Sequence, residues 1–361
     1  MRRLAIACAV MLCMAAGGPG PDAVARFGDA GAPRRLVVRA AADIAFFAPV
    51  IKAFIATRPG LLVEWQDWNT NALYDRVQAD CAAGSEGADL IFSSAADLQV
   101  ALVNAGCARP HFSDLVQALP PERNWCDELF GMTEEPVVMV FNRAGFPEGS
   151  IPQSRFDLLD MLRRDSRLDG RIATYDIETS GVGYLFAFQD SLHASTFGSL
   201  LEAFGRAGAV ATCCSAEIIE QVRSGHFLVA YNILGSYAFS VARDDPSLRV
   251  VMPSDYTLVL HRAAFIAKDA RNPAQAGEFI DFMLSPDGQR VMQRQGLIIS
   301  HSAAGDDPIR DDLIPAGASR PIQLSPALRL GQDAMKRAAF RQTWNTRIAT
   351  RPVGAAEAPG H

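Results

Sequence analysis

The sequence has no Cys-x-x-Cys pair and no His-rich run, so a zinc site is not indicated. It has no G-x-S-x-G elbow, no H-E-x-x-H and no S-x-x-K at a helix start, which removes the common signatures of hydrolases and metalloproteases. The six histidines are scattered, and His193, His226 and His261 suit surface or structural places better than a catalytic base. No internal repeat and no long low-complexity segment occurs. Only 20% of the 361 residues are charged and 49% are hydrophobic, a globular composition that excludes disorder and can fill two cores. A formal charge of -6 argues against nucleic acid as a partner.

What is present begins with a leader. Arg2 and Arg3, the apolar run "LAIACAVMLCMAA" and the small-x-small site Ala23, Val24, Ala25 read as a signal peptide over residues 1–25, cleaved near Ala25. The apolar run is too short to span a bilayer comfortably. Neither Cys8 nor Cys13 sits in a lipid-attachment box, so a free soluble protein of the periplasm is expected. Cleavage removes two arginines and one aspartate and moves the charge from -6 to -7. It leaves Cys81, Cys107, Cys126, Cys213 and Cys214, enough for two disulfides and one spare thiol in an oxidising compartment. Cys81 and Cys107 flank one strand-helix unit and are the favoured pair. The adjacent Cys213 and Cys214 are expected not to bond each other, because a vicinal disulfide needs a strained peptide.

Beyond a Gly, Ala and Pro linker to Pro33, "RRLVVRAA" has strand character and "ADIAFFAPVIKAFIATRPG" has helical spacing closed by Pro59-Gly60. "LLVEWQDW", "NALYDRVQADCAAG", "ADLIFSS" and "AADLQVALVNAG" repeat the alternation, which predicts an α/β unit with a parallel sheet. "GMTEEPVVMVFN" is extended with Pro136 near its middle and suits a connecting or edge strand. A second α/β unit follows, and "LRVVMPSDYTLVLHRAAFIAK" is again extended. The chain therefore reads as lobe 1 over 34–138 plus 255–330, lobe 2 over 139–254, and a C-terminal helix and tail over 331–361.

In open α/β sheets ligands bind at the carboxyl ends of strands, where helices begin with unpaired N–H groups. Five such loops stand out. The first holds Asp43, equally readable as a helix cap and as a ligand contact. The second holds Ser93 and Ser94, again caps or ligand donors. The third, "DIETSGVGYLFAF", offers Thr179, Ser180, Gly181 and Gly183. A Rossmann fingerprint fails there because Phe186 stands where the third glycine belongs, and a Walker loop fails for want of its lysine. The fourth holds Tyr231, Asn232, Gly235, Ser236 and Tyr237, with hydroxyls and an amide for a small polar molecule, Tyr237 being readable also as packing on the next lobe. The fifth holds Asp255 and Tyr256 at the start of a crossing strand.

The leader, the two lobes and the strings "ADLIFSSAADLQ", "EEPVVMVFN", "TYDIETSGVGYL", "YNILGSYA" and "FMLSPDGQRVMQRQG" together resemble bacterial extracytoplasmic solute-binding proteins of ABC transporters, type 2, in the ferric-iron-binding-like group. The resemblance implies a two-lobed periplasmic-binding-protein fold with a ligand cleft between lobes that close by hinge motion. It implies a receptor and not an enzyme, working as a monomer without a cofactor. Ferric-binding members use two adjacent tyrosines; here five residues separate Tyr231 from Tyr237, so no metal site is expected. Hydroxyls, an amide and helix N-termini suit a small anionic solute, phosphorylated or carboxylated, delivered to an ABC permease. The alternative partner is the periplasmic domain of a sensor kinase, as in a phosphoglycerate-transport regulator of two-component signalling. A ferric-iron binder and an exported hydrolase rank lower.

Overall fold

The structure, a computed structural model, describes residues 20–147, 149–298, 314 and 317–350. Most of the leader, residues 1–19, and the tail beyond 350 lie outside the described residues.

The first sheet contains β1 (Ala23–Phe27), β2 (Arg34–Ala41), β3 (Leu61–Asp67), β4 (Leu90–Ser93), β5 (Ala108–Arg109), β6 (Asn124–Trp125), β7 (Leu129–Gly131) and β14 (Ala263–Ala267). Their order is β1-β3-β2-β4-β14-β7-β6, with β5 beside β14. Strands β2, β3 and β4 are parallel, as their alternation with helices predicts. The helices are α1 (Ile44–Ala56), α2 (Thr70–Ala83), α3 (Ala96–Asn104), the short α4 (Asp114–Gln117), α10 (Pro273–Leu284) and α11 (Pro286–Arg294). Helix α2 stops where Gly84 takes φ 61°, a left-handed position that glycine adopts without steric cost. Phe47, Val50, Ile51 and Phe54 form the buried stripe of α1, and Phe54 meets Phe279 at 4.8 Å and Phe282 at 5.4 Å.

The second sheet contains β8 (Glu135–Asn142), β9 (Ile172–Tyr175), β10 (Val210–Thr212), β11 (Val229–Leu234), β12 (Leu248–Val251), β13 (Thr257–Leu260), β15 (Ser319–Pro321) and β16 (Ala349–Thr350). Their order is β15-β13-β8-β11-β9-β10-β16, with β12 also on β8. Around it lie α5 (Arg155–Arg164), α6 (Gly181–His193), α7 (Phe197–Arg206), α8 (Ser215–Arg223), α9 (Gly235–Asp244) and α12 (Ala334–Asn345).

Four sequence expectations change. Strand β1 spans the expected leader end at Ala25 and the start of the presumed linker before Pro33, and pairs antiparallel with β3 from Ala23–Asp67 to Phe27–Val63. Strand β8 is central and not an edge: β11 lies on one side, β12 and β13 on the other. Pro136 fits because it is the second residue of β8, at the strand's entry, where the ladder tolerates a missing N–H. Strands β13 and β15 join the second sheet, and β16 does so beside β10, so lobe 2 takes residues that the expected division gave to lobe 1 and to the tail. Cys81 bonds Cys107, and Cys213 bonds Cys214 as well. That vicinal pair lies in the β10–α8 turn with Cys214 in extended backbone, so neither residue is held to helical geometry.

The lobes are joined at Met132–Glu134, between β7 and β8, and at His261–Arg262, between β13 and β14. The two crossings are bonded to each other: Met132 N donates to Arg262 O, Arg262 N donates to Thr133 Oγ1, and the buried His261 ring lies 2.7 Å from Thr133 O. Glu134 N further donates to Leu297 O.

Candidate functional site

The crossings deliver two charges to one point. Arg262 is 1% exposed and Glu135 is wholly buried. Arg262 Nε donates to Glu135 Oε1 at 2.8 Å and Nη2 to Oε2 at 3.3 Å, while Nη1 reaches the Ala41 carbonyl at the end of β2 at 3.2 Å. Thr133 Oγ1 and Ser236 Oγ donate to the two Glu135 oxygens. Burial is the largest influence on the Arg262 pKa and lowers it, but the Glu135 carboxylate and the Tyr237 hydroxyl together overcome it, and the net shift is upward. Arg262 therefore stays a cation where lobe 1 meets lobe 2.

Tyr237, in the first turn of α9, extends this network to lobe 1. Its ring lies 4.6 Å from that of Phe46, and its hydroxyl bonds the Asp43 side chain. Burial, partly offset by the Arg262 charge and reinforced by Asp43, pushes this phenol well above its usual range, so it is a neutral donor at physiological pH. Asp43 stands at the N-cap of α1 yet makes no side-chain cap bond. Asp67 accepts from Ile44 N instead, and its pKa is pushed up to about 7 by burial and by the charges of Asp43 and Asp22. Tyr175, pushed up to about 12 by burial, bonds Ser215 Oγ and accepts from Leu234 N on the lobe 2 side.

The glycine motif forms a seam between lobes. Ser180 Oγ caps α6 by accepting from Gly183 N at 3.1 Å, as local capping requires. Gly181 N donates across the junction to Thr70 Oγ1 at 2.8 Å, Asn69 Nδ2 donates to Thr179 O at 3.1 Å, and Asn71 Nδ2 donates to Glu178 O at 3.1 Å. Thr179 Oγ1 is turned to Asp176. A Cβ on Gly181 would fall 2.9 Å from Asn71 Oδ1, and one on Gly183 would fall 2.4 Å from Tyr175 Cβ, so both glycines permit close approach.

Ser93 and Ser94 are buried at the end of β4, where Ser93 pairs with Ala263 beside the second crossing. Ser93 Oγ accepts from Ala95 N, a local turn bond. Four other candidate residues are placed elsewhere. Tyr231, Asn232, Asp255 and Tyr256 gather around Arg155 and Asp190 inside lobe 2. Asp190 accepts from the Tyr231 hydroxyl at 2.6 Å, Asn232 Nδ2 at 2.6 Å, the Tyr256 hydroxyl at 2.7 Å and Arg155 Nη2 at 3.2 Å. Arg155 also donates to Asp255 Oδ1 at 3.5 Å. The β11 register breaks between Ala230 and Ile233, with Asn232 at φ 59°, and this break turns Tyr231 and Asn232 toward α6. With four donors on two oxygens, Asp190 is satisfied internally, and the cluster ties α5, α6, β11 and β13 together.

The structure thus brings Asp43, Ser93, Ser94, Ser236 and the Thr179–Gly183 turn to the junction of the lobes. It adds Glu135, Arg262, Tyr237 and Asp67, which sequence reading did not select. Glu135 and Tyr237 lay in strings already singled out; Arg262 carried no local signal beyond its place in an extended crossing. A groove of about 360 Å³ elsewhere is lined by Arg35, Glu64, Glu86, Asp89 and Arg271. Glu64 there pairs with Arg26 and Arg35, Glu86 pairs with Arg271, and Asp89 accepts from the Val37 and Asn272 backbone N–H groups.

Comparison with known proteins agrees with this two-lobed arrangement. The profile of a family described as bacterial extracellular solute-binding protein matches residues 36–298. The substrate-binding protein of an ABC transporter from Agrobacterium tumefaciens is 34% identical, with 91% of this chain and 99% of that chain covered and a TM-score of 0.85. Iron-bound HitA from Pseudomonas aeruginosa is 21% identical, covering 86% and 99% of the two chains, with a TM-score of 0.65. AfuA from Actinobacillus pleuropneumoniae, with fructose-6-phosphate bound, is 17% identical, covering 88% and 99%, with a TM-score of 0.67. A search of curated proteins finds no match.

Proposed function

The chain belongs to the bacterial extracellular solute-binding proteins, which serve ABC permeases, and we propose that its solute is a small hydroxylated organic anion held between the lobes. The observation that carries this reading is the meeting, at one junction, of the buried Arg262 cation, the neutral Tyr237 donor and the first turns of α1, α3, α6 and α9. Helix N-termini present N–H groups and positive potential to an anion. Asp43, with no capping duty, supplies an acceptor for a solute hydroxyl. In the closed arrangement these groups bond to one another; in an opened cleft they become donors and acceptors for the solute.

Two relatives frame the choice of ligand. HitA was determined with iron and AfuA with fructose-6-phosphate. Hard Fe(III) favours several charged oxygen donors. Of the two tyrosines of the fourth loop, only Tyr237 reaches the junction here, since the Tyr231 hydroxyl donates to Asp190. The donor set therefore favours the organic anion. A thermal-shift screen of sugar phosphates and hydroxycarboxylates tests this reading, since a ligand of the native state raises the melting temperature. At least one such anion is expected to stabilise the protein strongly; stabilisation by ferric iron and by no organic anion would overturn the reading.

A further inference from the structure

The β10–α8 turn carries a cluster that solute capture does not use. Cys214 is exposed and Cys213 half-buried, and their sulfurs are bonded to each other. Glu217 sits one turn into α8, with Oε2 3.3 Å from Cys213 Sγ and Oε1 held by Gln221 Nε2 at 3.1 Å. The two sulfurs and a Glu217 oxygen all lie within 4.8 Å of one another. Cys214 is the N-cap of α8 and forms no side-chain cap bond.

We propose that this turn is a redox-gated site for a thiophilic divalent cation, with Cys213, Cys214 and Glu217 as ligands. In the oxidised protein the sulfurs are engaged with each other and bind no metal. A dithiol reductant transfers two electrons and two protons to the Cys213–Cys214 bond, giving two thiols, and is itself oxidised to a disulfide. The cation then displaces the two thiol protons and binds the paired thiolates. Exposed disulfides are the ones open to reduction, and thiolates at a helix N-terminus are favoured by its N–H groups. Two soft sulfurs select Zn(II)-like and Cd(II)-like ions over hard ones. With three protein ligands, the fourth position of a tetrahedral ion faces solvent on the exposed Cys214 side. Gln221 fixes the Glu217 carboxylate from behind, the kind of outer support that metal sites use. The inference is independent of which solute the cleft takes.

The test uses mature Cys126→Ser protein, which removes the free exposed thiol. Reduced with limiting phosphine, with peptide mass showing the Cys81–Cys107 bond still intact, desalted without oxygen and titrated with Cd(II), it should develop a thiolate-to-metal charge-transfer band that saturates at one equivalent. The oxidised protein should show no band. Adding Cys213→Ser and Cys214→Ser should abolish it, and Glu217→Gln should weaken binding roughly tenfold while leaving circular dichroism unchanged. A bond that resists reduction, a reduced protein with no band, or a band that survives loss of Cys213 and Cys214 would each overturn the proposal.

Discussion

Arg262 and Glu135 meet where the two crossing segments run side by side, joined by hydrogen bonds of 2.8 and 3.3 Å with both side chains out of water. Arg262 also holds the Ala41 carbonyl of lobe 1, and Glu135 accepts from Ser236 of lobe 2, so this one pair touches both bodies. Removing one partner leaves a buried charge unmatched. Arg262→Met should therefore destabilise the protein by about 3–5 kcal/mol in urea unfolding. A loss below 1 kcal/mol, roughly that of an exposed ion pair, would mean that the pair is hydrated in solution.

The two polar clusters should separate by experiment. Ser236→Ala combined with Tyr237→Phe removes groups at the lobe junction and should weaken the best anion from the thermal-shift screen roughly tenfold or more. Tyr231→Phe removes a donor to the buried Asp190 and should cost about 1–3 kcal/mol of stability with affinity unchanged. Calorimetric titration beside urea unfolding reads both. The reverse pattern would return the binding role to the Arg155–Asp190 cluster.

Asp97 predicts a pH dependence. This carboxyl on α3 is buried, one oxygen has no partner, and the other accepts from Gln332 beyond the second lobe. Burial raises its pKa to about 6 from 3.8, the Gln332 bond and the Arg337 charge opposing. The folded state thus holds the proton more tightly than the unfolded chain. Its contribution is full below about pH 4 and is lost as pH rises through 6. In Asp97→Asn the fall in stability between pH 4 and pH 7 should shrink by up to about 3 kcal/mol. An unchanged fall would assign the titration to another group.

Gly181 reports on closure. A methyl there meets Asn71, Leu98 and Thr70 of lobe 1 at 2.9 to 3.1 Å. Gly181→Ala should shift the free protein toward an open form and enlarge its radius of gyration in small-angle scattering, with little change in helix content. An unaltered scattering curve would show that the seam yields without opening.

Strand β1 bears on maturation. Asp22 N donates to Asp67 O and the ladder begins at Ala23, so a cut near Ala25 would remove more than half of the strand that covers β3. Intact mass of the exported protein should place its N-terminus before Asp22. A mass that begins at Arg26 would show that β3 tolerates a bare edge.

The strands and helices of lobe 1 were legible because each carries its own period and stop: Arg34–Ala41 appears at the expected bounds, and Gly84 ends α2. The partition near the crossings was not, since extended segments carry no mark of which sheet they join. Helix caps were legible at Ser180, where the bond is three residues long. Asp43 was ambiguous because its local alternative, Asp67, arrives from another strand. Arg262 and Glu135 lie 127 residues apart, and nothing local announces such a pair. The break in β11 decided against Tyr231 and Asn232, and it follows from cross-strand register that no single strand encodes.

The proposed site of the small organic anion is the junction around Arg262 and Tyr237. Native mass spectrometry of protein purified directly from its exporting host, alongside the Ser236→Ala, Tyr237→Phe variant, tests it most directly. A single organic anion is expected on the parent protein, released on denaturation and absent from the variant. A bound metal ion in its place, or an anion retained equally by the variant, would contradict it.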